Sequence, residues 1–163
     1  MVGLPCSGKT TAARDLETRF SALRLTTDEW HIRLFGDDFA DMDDPGHERH
    51  DARHLVLESL LWEVAARALR LGTNVVLDFG CWSRGEREEF RARTRALGAE
   101  FRMHFTDAPE EVLLTRLAAR NADHPDGTFR IEPHQLKQWI GQFERPAPDE
   151  LDQLQRSMKD NGS

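Results

Sequence analysis

Long apolar runs are missing from this chain. No stretch of about 18 consecutive apolar residues occurs, so no helix is expected to span a membrane and no membrane partner is expected. Cysteine is scarce: Cys6 and Cys81 are the whole complement, which argues against a disulfide scaffold. The opening Met-Val-Gly-Leu-Pro has neither the basic n-region nor the apolar h-region of a secretory signal, and a cytoplasmic location is the expectation. Positive charge is in deficit, with 22 Lys and Arg against 29 Asp and Glu and a net charge of −7. Tight binding of long nucleic acid draws on a basic surface that neutralises phosphates. The global field therefore favours a small substrate, and a polynucleotide would need a local basic groove. No repeat and no linker divides the 163 residues, a length that suits one domain over 1–163.

What is present is an alternation of short apolar runs with helical patterns, the signature of a mostly parallel sheet covered by helices. A loop over 3–10 opens a helix from Lys9 to Arg19, and Ala22 to Thr26 reads as a short strand. Asp37 to Gly46, dense in Asp with Gly and Pro, reads as a mobile loop. His47 to Leu71 reads as a long helix ended by Gly72, with Leu55, Leu57, Leu60, Leu61, Val64, Ala65 and Ala68 as its apolar face. Val75-Val76-Leu77 reads as a buried strand ending at Asp78. A helix from Gly85 to Leu97 and a strand from Phe101 to Thr106 follow. Asp107-Ala-Pro-Glu110 has the form of a capping box, Asp107 accepting the Glu110 amide, and starts a helix reaching Arg120. The polar segment 121–133 reads as a lid, His134 to Phe143 as the last helix, and 151–163 as a weakly structured tail.

Gly3-Leu4-Pro5-Cys6-Ser7-Gly8-Lys9-Thr10 matches G-x-x-x-x-G-K-[ST] at every fixed position. Glycines let the backbone wrap closely round a phosphate with several N–H groups turned inward, and the following helix aims its positive end at the same place. Lys9 reaches the β- and γ-phosphates of ATP, and the Thr10 hydroxyl takes a place on Mg²⁺. Gly3, Pro5, Cys6, Ser7, Gly8, Lys9, Thr10 and Thr11 are thus the candidate nucleotide-binding residues. Cys6 stands where such loops often carry glycine, and a thiol at a helix N-terminus can have a lowered pKa. Only Met1 and Val2 precede the loop, where a buried strand of about five apolar residues is usual; three readings stand open, lost upstream residues first, then a late start to the numbering or a very short first strand.

The guanine-reading Asn-Lys-x-Asp motif is absent, and large motor ATPases need more length. The motif set resembles the small P-loop kinases of the AAA-type ATP-binding group, among them polynucleotide 5′-hydroxyl kinase, chloramphenicol phosphotransferase and the zeta-toxin sugar-nucleotide kinases. The resemblance covers about residues 1 to 145. It rests on the phosphate loop, on Leu25-Thr26-Thr27-Asp28-Glu29-Trp30, on Asn74-Val-Val-Leu-Asp78-Phe, and on the segment from Asp107 to Arg120. It implies an α/β three-layer P-loop fold with a helical lid and a parallel sheet in the order 2-3-1-4-5. The first strand here is short, and no clear fifth strand follows residue 145.

Asp28 sits where the relatives keep a carboxylate that acts as base towards the attacking hydroxyl; a plain helix cap is the structural alternative. Asp78, ending its strand, has the pattern of a Walker-B-like acid that orients Mg²⁺, against a simple strand-end turn residue. Cys81, Trp82 and Ser83 lie on the same edge and can line an acceptor pocket. Arg116 and Arg120, four apart, project from one helical face towards the lid. In the relatives such arginines stabilise the charge that spreads over the transferred phosphoryl group, one also packing on adenine. The alternative is a solvated pair balancing Glu110 and Glu111. Arg130, inside the lid, is a further candidate for the nucleotide.

Arg84, Arg87, Arg91 and Arg95 form a stripe, but the interleaved Glu86, Glu88 and Glu89 make it read as a solvated, salt-bridged face. His47, His50 and His54 read as an exposed polar helix rather than a metal site. Trp139 and Phe143 are expected to pack the last helix on the core, with 143–148 a possible border for adenine. Three functions compete: a kinase of a small hydroxyl compound (an antibiotic, nucleoside or sugar nucleotide), a polynucleotide 5′-kinase, and an ATP-binding switch without acceptor. Nothing in the motifs bears on oligomeric state.

Overall fold

The structure, a computed structural model, describes residues 1–38, 44–123 and 125–151. The elements run in the order α1 (Lys9–Phe20), β1 (Leu23–Leu25), α2 (Thr27–Phe35), α3 (Asp44–Arg70), β2 (Val75–Leu77), α4 (Arg84–Ala96), α5 (Glu110–Asp123) and α6 (Pro133–Gln142). This is an α/β fold with a helical majority. No helix among the described residues is long and apolar enough to cross a membrane. The tail expected over 151–163 lies, after Leu151, outside the described residues.

β1 and β2 pair in parallel, Leu23 against Val75 and Leu25 against Leu77. Val2 makes single parallel bridges to Gly80 and Phe105. Its N–H donates to the His104 carbonyl at 2.8 Å, and its carbonyl accepts from Thr106 at 2.9 Å. Among the described residues the five-strand order is represented by one two-strand ladder and these bridges, and no strand follows residue 145. Phe101–Thr106 is accordingly not a full strand. Gly3 already turns into the loop, so Val2 is the residue that pairs with it.

A cavity of about 480 Å³ opens beside β2, lined by Val75 to Leu77, Trp62, Phe90 and the stretch 101–104. It leaves Val75, Val76 and Leu77 half-buried where full burial was expected. The tightest packing lies elsewhere. Leu113 and Leu117 of α5 meet Leu136 of α6, together with Val2, Leu4 and Phe129. Each such side chain contributes about 1.5–3 kcal/mol through its burial. Phe143 is buried and Trp139 packs on this core, as the last helix was expected to do.

α3 starts at Asp44, three residues before the expected boundary, because Asp-Pro suits a first turn and proline's fixed φ costs nothing there. Its apolar face is narrower than its sequence suggests. Leu57, Leu61, Ala65 and Ala66 are buried, whereas Leu55, Leu60 and Val64 stay exposed. α1 ends at Ser21 in the left-handed region, and the Ala22 N–H reaches back to the Glu17 carbonyl at 2.9 Å. α4 carries a capping box that the motif reading missed: Ser83 Oγ accepts the Glu86 N–H at 3.1 Å, and Glu86 accepts the Ser83 N–H at 2.8 Å. Asp107 does not form the expected box. Its carboxylate takes its neighbour's amide, Ala108 N–H, at 3.0 Å and is held by Arg145, while α5 runs on to Asp123.

Candidate functional site

The phosphate loop leaves Val2 and turns at Gly3, where no other residue fits. A Cβ on Gly3 would stand 2.4 Å from the Thr106 carbonyl oxygen, at a φ of +145°. Ser7 Oγ is bonded to Thr106 Oγ1 at 2.8 Å, which ties the loop to the end of the 101–106 segment. The Ser7 hydroxyl is therefore occupied. Gly8, left-handed at φ 100°, starts α1, whose first N–H groups have no intrahelical partner and are what a phosphate would meet. Lys9, Thr10 and Thr11 form that first turn. Cys6 also sits in the left-handed region, φ 64°, a conformation glycine adopts at lower cost. Burial pushes the Cys6 thiol up, against the pull of Arg120, Lys9 and Arg116. The lowered pKa that a helix N-terminus can confer is not found, because burial outweighs the positive surroundings.

Lys9 Nζ donates to the Leu4 carbonyl at 2.8 Å, folded back over its own loop. Burial pushes its ammonium below the ordinary value, while the charges of Asp28 and Asp78 draw it back up. The two acids proposed from sequence thus both act on the phosphate-loop lysine. They differ in environment. Asp28 lies in the first turn of α2 and is exposed. The residue at the N-cap is Thr26, so Asp28 is no cap. Asp78 is buried, with 1% of its side chain exposed, and neither oxygen has a hydrogen-bond partner among the described residues. Arg24 Nη1 stands 3.9 Å from Asp78 Oδ2, and the same guanidinium bonds Glu17 and Glu29 at 3.1 Å.

A buried carboxylate without hydrogen bonds is costly unless a cation or its water shell meets it. The donor set, a hydroxyl on Thr10 and an Asp78 carboxylate without a hydrogen bond, suits Mg²⁺, which favours oxygen ligands and keeps several waters. The residues present fit that ion.

Arg116 reaches the loop: its Nη1 donates to the Cys6 carbonyl at 3.2 Å. Arg120 is half-buried, donates through Nη2 to the Phe129 carbonyl at 3.4 Å, and has a buried Nε with no partner. Its charge acts on Cys6 and Lys9. The structure therefore brings Arg116 and Arg120 to the phosphate loop rather than pairing them with Glu110 and Glu111. Arg130 is not brought in. Its guanidinium is 59% exposed and stands 3.8 Å from Glu132, while its backbone N–H donates to Asp37 at 2.9 Å. The residues around it are packed down, with Phe129 and Ile131 buried and Asn121 Nδ2 donating to the Ile131 carbonyl at 2.7 Å.

Several residues with a stake in this region escaped the sequence reading. Glu58 of α3 has its carboxyl pushed up to about 7, first by burial and then by the charges of Glu86 and Asp28. Only its i,i+4 partner His54, 3.8 Å away, hints at a shared face. Arg87 was expected to be solvated and is 1% exposed in its side chain. It forms a two-pronged pair with Glu150, Nε to Oε2 at 2.7 Å and Nη2 to Oε1 at 3.0 Å. It also donates to the carbonyls of Trp82 and Glu144 at 3.1 and 2.9 Å. The edge after Asp78 is thereby anchored to the segment 144–150. Of the stripe, Arg84 is the salt-bridged, exposed member that was expected, with Glu88 at 2.7 Å, whereas Arg91 lies over the Phe101 ring. His50 is buried, not exposed, because Asp38 and His31 close over it; the His47 side chain lies outside the described residues.

Comparison with curated proteins finds no match. A family model described as an AAA domain (AAA_33) matches residues 1–146, and it brings with it the P-loop NTPase fold and nucleotide binding. The chain belongs to this AAA-domain family of P-loop, kinase-like proteins.

Proposed function

We propose that this protein is an ATP- and Mg²⁺-dependent phosphotransferase that moves the γ-phosphate of ATP onto a hydroxyl group of a small molecule. The observation that carries the reading is the pair of unlike carboxylates acting on Lys9: Asp28 exposed and open to an incoming group, Asp78 buried and unsatisfied. In the transfer, Asp28 takes the proton of the acceptor hydroxyl as its oxygen bonds to the γ-phosphorus. The bond to the β,γ-bridging oxygen breaks, and ADP leaves. Lys9, with the N–H groups of Gly8 to Thr11, holds the phosphates. Arg116 and Arg120 are the guanidinium groups assigned to the charge developing on the equatorial oxygens, a role that the Arg116 bond to the Cys6 carbonyl supports. Mg²⁺, held by Thr10 and through water by Asp78, would neutralise charge on the phosphates. The candidate acceptor-side groups are Cys81, Trp82 and Ser83, with Glu58 as an addition from α3.

A small acceptor is preferred over a polynucleotide because the net charge of −7 opposes binding of a long polyanion. The test is transfer of γ-labelled phosphate from Mg-ATP to a panel of a 5′-hydroxyl oligonucleotide, nucleosides, hydroxyl-bearing antibiotics and UDP-sugars. A labelled small molecule is the expected result. Label on the oligonucleotide, with affinity falling steeply as salt rises, would move the assignment to a polynucleotide kinase. Free phosphate alone would leave an NTPase or a switch.

A further inference from the structure

Three histidines from two helices meet beside this site. His31 of α2 and His50 and His54 of α3 each offer one ring nitrogen, and these nitrogens all lie within 4.8 Å of one another. The rings come together because α2 packs against α3. His31 and His50 are stacked with centroids 4.5 Å apart, and His50 and His54 follow at 5.8 Å. Phe129 of the lid closes edge-on over His31 and His50.

Asp38 organises the group. Its Oδ2 meets His31 Nε2 at 2.9 Å, and its Oδ1 meets His50 Nδ1 at 2.7 Å. Arg53 donates to the same Oδ2 at 3.0 Å. Paired with the Arg53 guanidinium, the Asp38 carboxylate is placed to accept from both rings. An ionised carboxylate is an acceptor only. His31 therefore carries its hydrogen on Nε2 and His50 on Nδ1. In a neutral His31 ring that leaves the lone pair on Nδ1. The carboxylate–imidazole pairing is the one that orients metal-binding histidines.

Two nitrogens of the cluster have no hydrogen-bond partner among the described residues. His31 Nδ1 and His54 Nδ1 are buried without a hydrogen-bond partner, and the His31 side chain is fully buried. A hydrophobic core does not require three imidazoles, and leaving two such nitrogens unmet costs free energy. Zinc bonds to imidazole nitrogen at about 2.0–2.1 Å, so ring rotations that draw the nitrogens inward by about an ångström complete the set.

We propose that His31, His50 and His54 form a binding site for a borderline transition-metal ion, Zn²⁺ in the first instance, with Asp38 as the group that fixes the His31 and His50 tautomers. The site is distinct from the oxygen-ligand Mg²⁺ position at Thr10 and Asp78, since nitrogen ligands suit zinc and disfavour magnesium. Bound metal would cross-link α2, which carries Asp28, to α3.

The experiment uses the full chain, freed of metal by chelator, without nucleotide. Calorimetric titration with Zn²⁺ is expected to give one ion per chain with a dissociation constant below micromolar, and Mg²⁺ is expected not to compete. His54→Ala, at the most exposed of the three positions, should weaken Zn²⁺ at least about 100-fold, and Asp38→Asn about 10- to 100-fold. Should His54→Ala fail to fold by circular dichroism, the visible spectrum of the Co²⁺-loaded wild type decides. Strong bands of a four-coordinate nitrogen and oxygen site support the proposal. Weak octahedral bands, or thiolate charge-transfer bands that place the ion on Cys6 or Cys81, overturn it. So does the absence of binding, or binding that His54→Ala leaves unchanged.

Discussion

Replacing Glu150 by Gln removes one charge of the pair with Arg87 while keeping the shape. Arg87 and Glu150 side chains are 1% and 3% exposed, and two N–H···O bonds of 2.7 and 3.0 Å join them. Removing one partner of such a pair leaves an uncompensated buried cation and costs about 3–5 kcal/mol. Gln retains one acceptor oxygen, and Arg87 keeps the Trp82 and Glu144 carbonyls, so the lower end, about 3 kcal/mol, is expected. For a chain of this length each kcal/mol moves Tm by about 2–4 °C, which gives a fall of about 6–12 °C. Calorimetry, with a denaturant titration to check that the m-value is unchanged, measures it. Arg87 holds the Glu150 carboxyl below the ordinary value of 4.5. The stabilisation is therefore complete above the unfolded value and is lost as pH falls through the lower folded one. The Arg87→Met, Glu150→Leu double variant should lose less than the two single losses added together. A Glu150→Gln penalty under about 1 kcal/mol, the level of an exposed pair, would refute the buried clamp.

Glu58 titrates the other way: with its carboxyl pushed up to about 7 from 4.5, the folded chain holds a proton that the unfolded chain releases. Its effect on stability is nil near pH 4.5 and grows unfavourable as pH rises towards 7, to at most about 3 kcal/mol. Glu58→Gln should thus raise Tm at pH 8 and not at pH 4.5, and an equal change at both would contradict the burial argument. Gly3→Ala should destabilise by more than about 1 kcal/mol and weaken binding of a fluorescent ATP analogue, because its Cβ would meet the Thr106 carbonyl at 2.4 Å. A change within about 0.5 kcal/mol, usual for an unconstrained surface site, would show that the loop can move aside.

Local signals carried the sequence reading well wherever the structure is local. The phosphate loop, α1 and α4 are specified by near neighbours, and Asp28 and Asp78 follow from their strand ends. What depended on distant partners stayed hidden. Arg87 has helical spacing with Arg84 and Arg91 and looks like a surface stripe, and only Glu150, 63 residues on, reveals it as buried. The histidines of α3 read as polar surface because His31 and Asp38, which enclose them, lie on other segments. The same limit explains Leu55, Leu60 and Val64. A 3.6-residue period marks an apolar face but not how far its neighbours extend to cover it.

The most direct measurement is steady-state phosphoryl transfer by Asp28→Asn beside its equilibrium binding of Mg-ATP. Loss of kcat by about 100- to 10,000-fold, with ATP affinity unchanged, is the expected result for a base that meets the acceptor and not the nucleotide. Full transfer in the variant, or loss of ATP binding in step with kcat, would contradict the role assigned to Asp28.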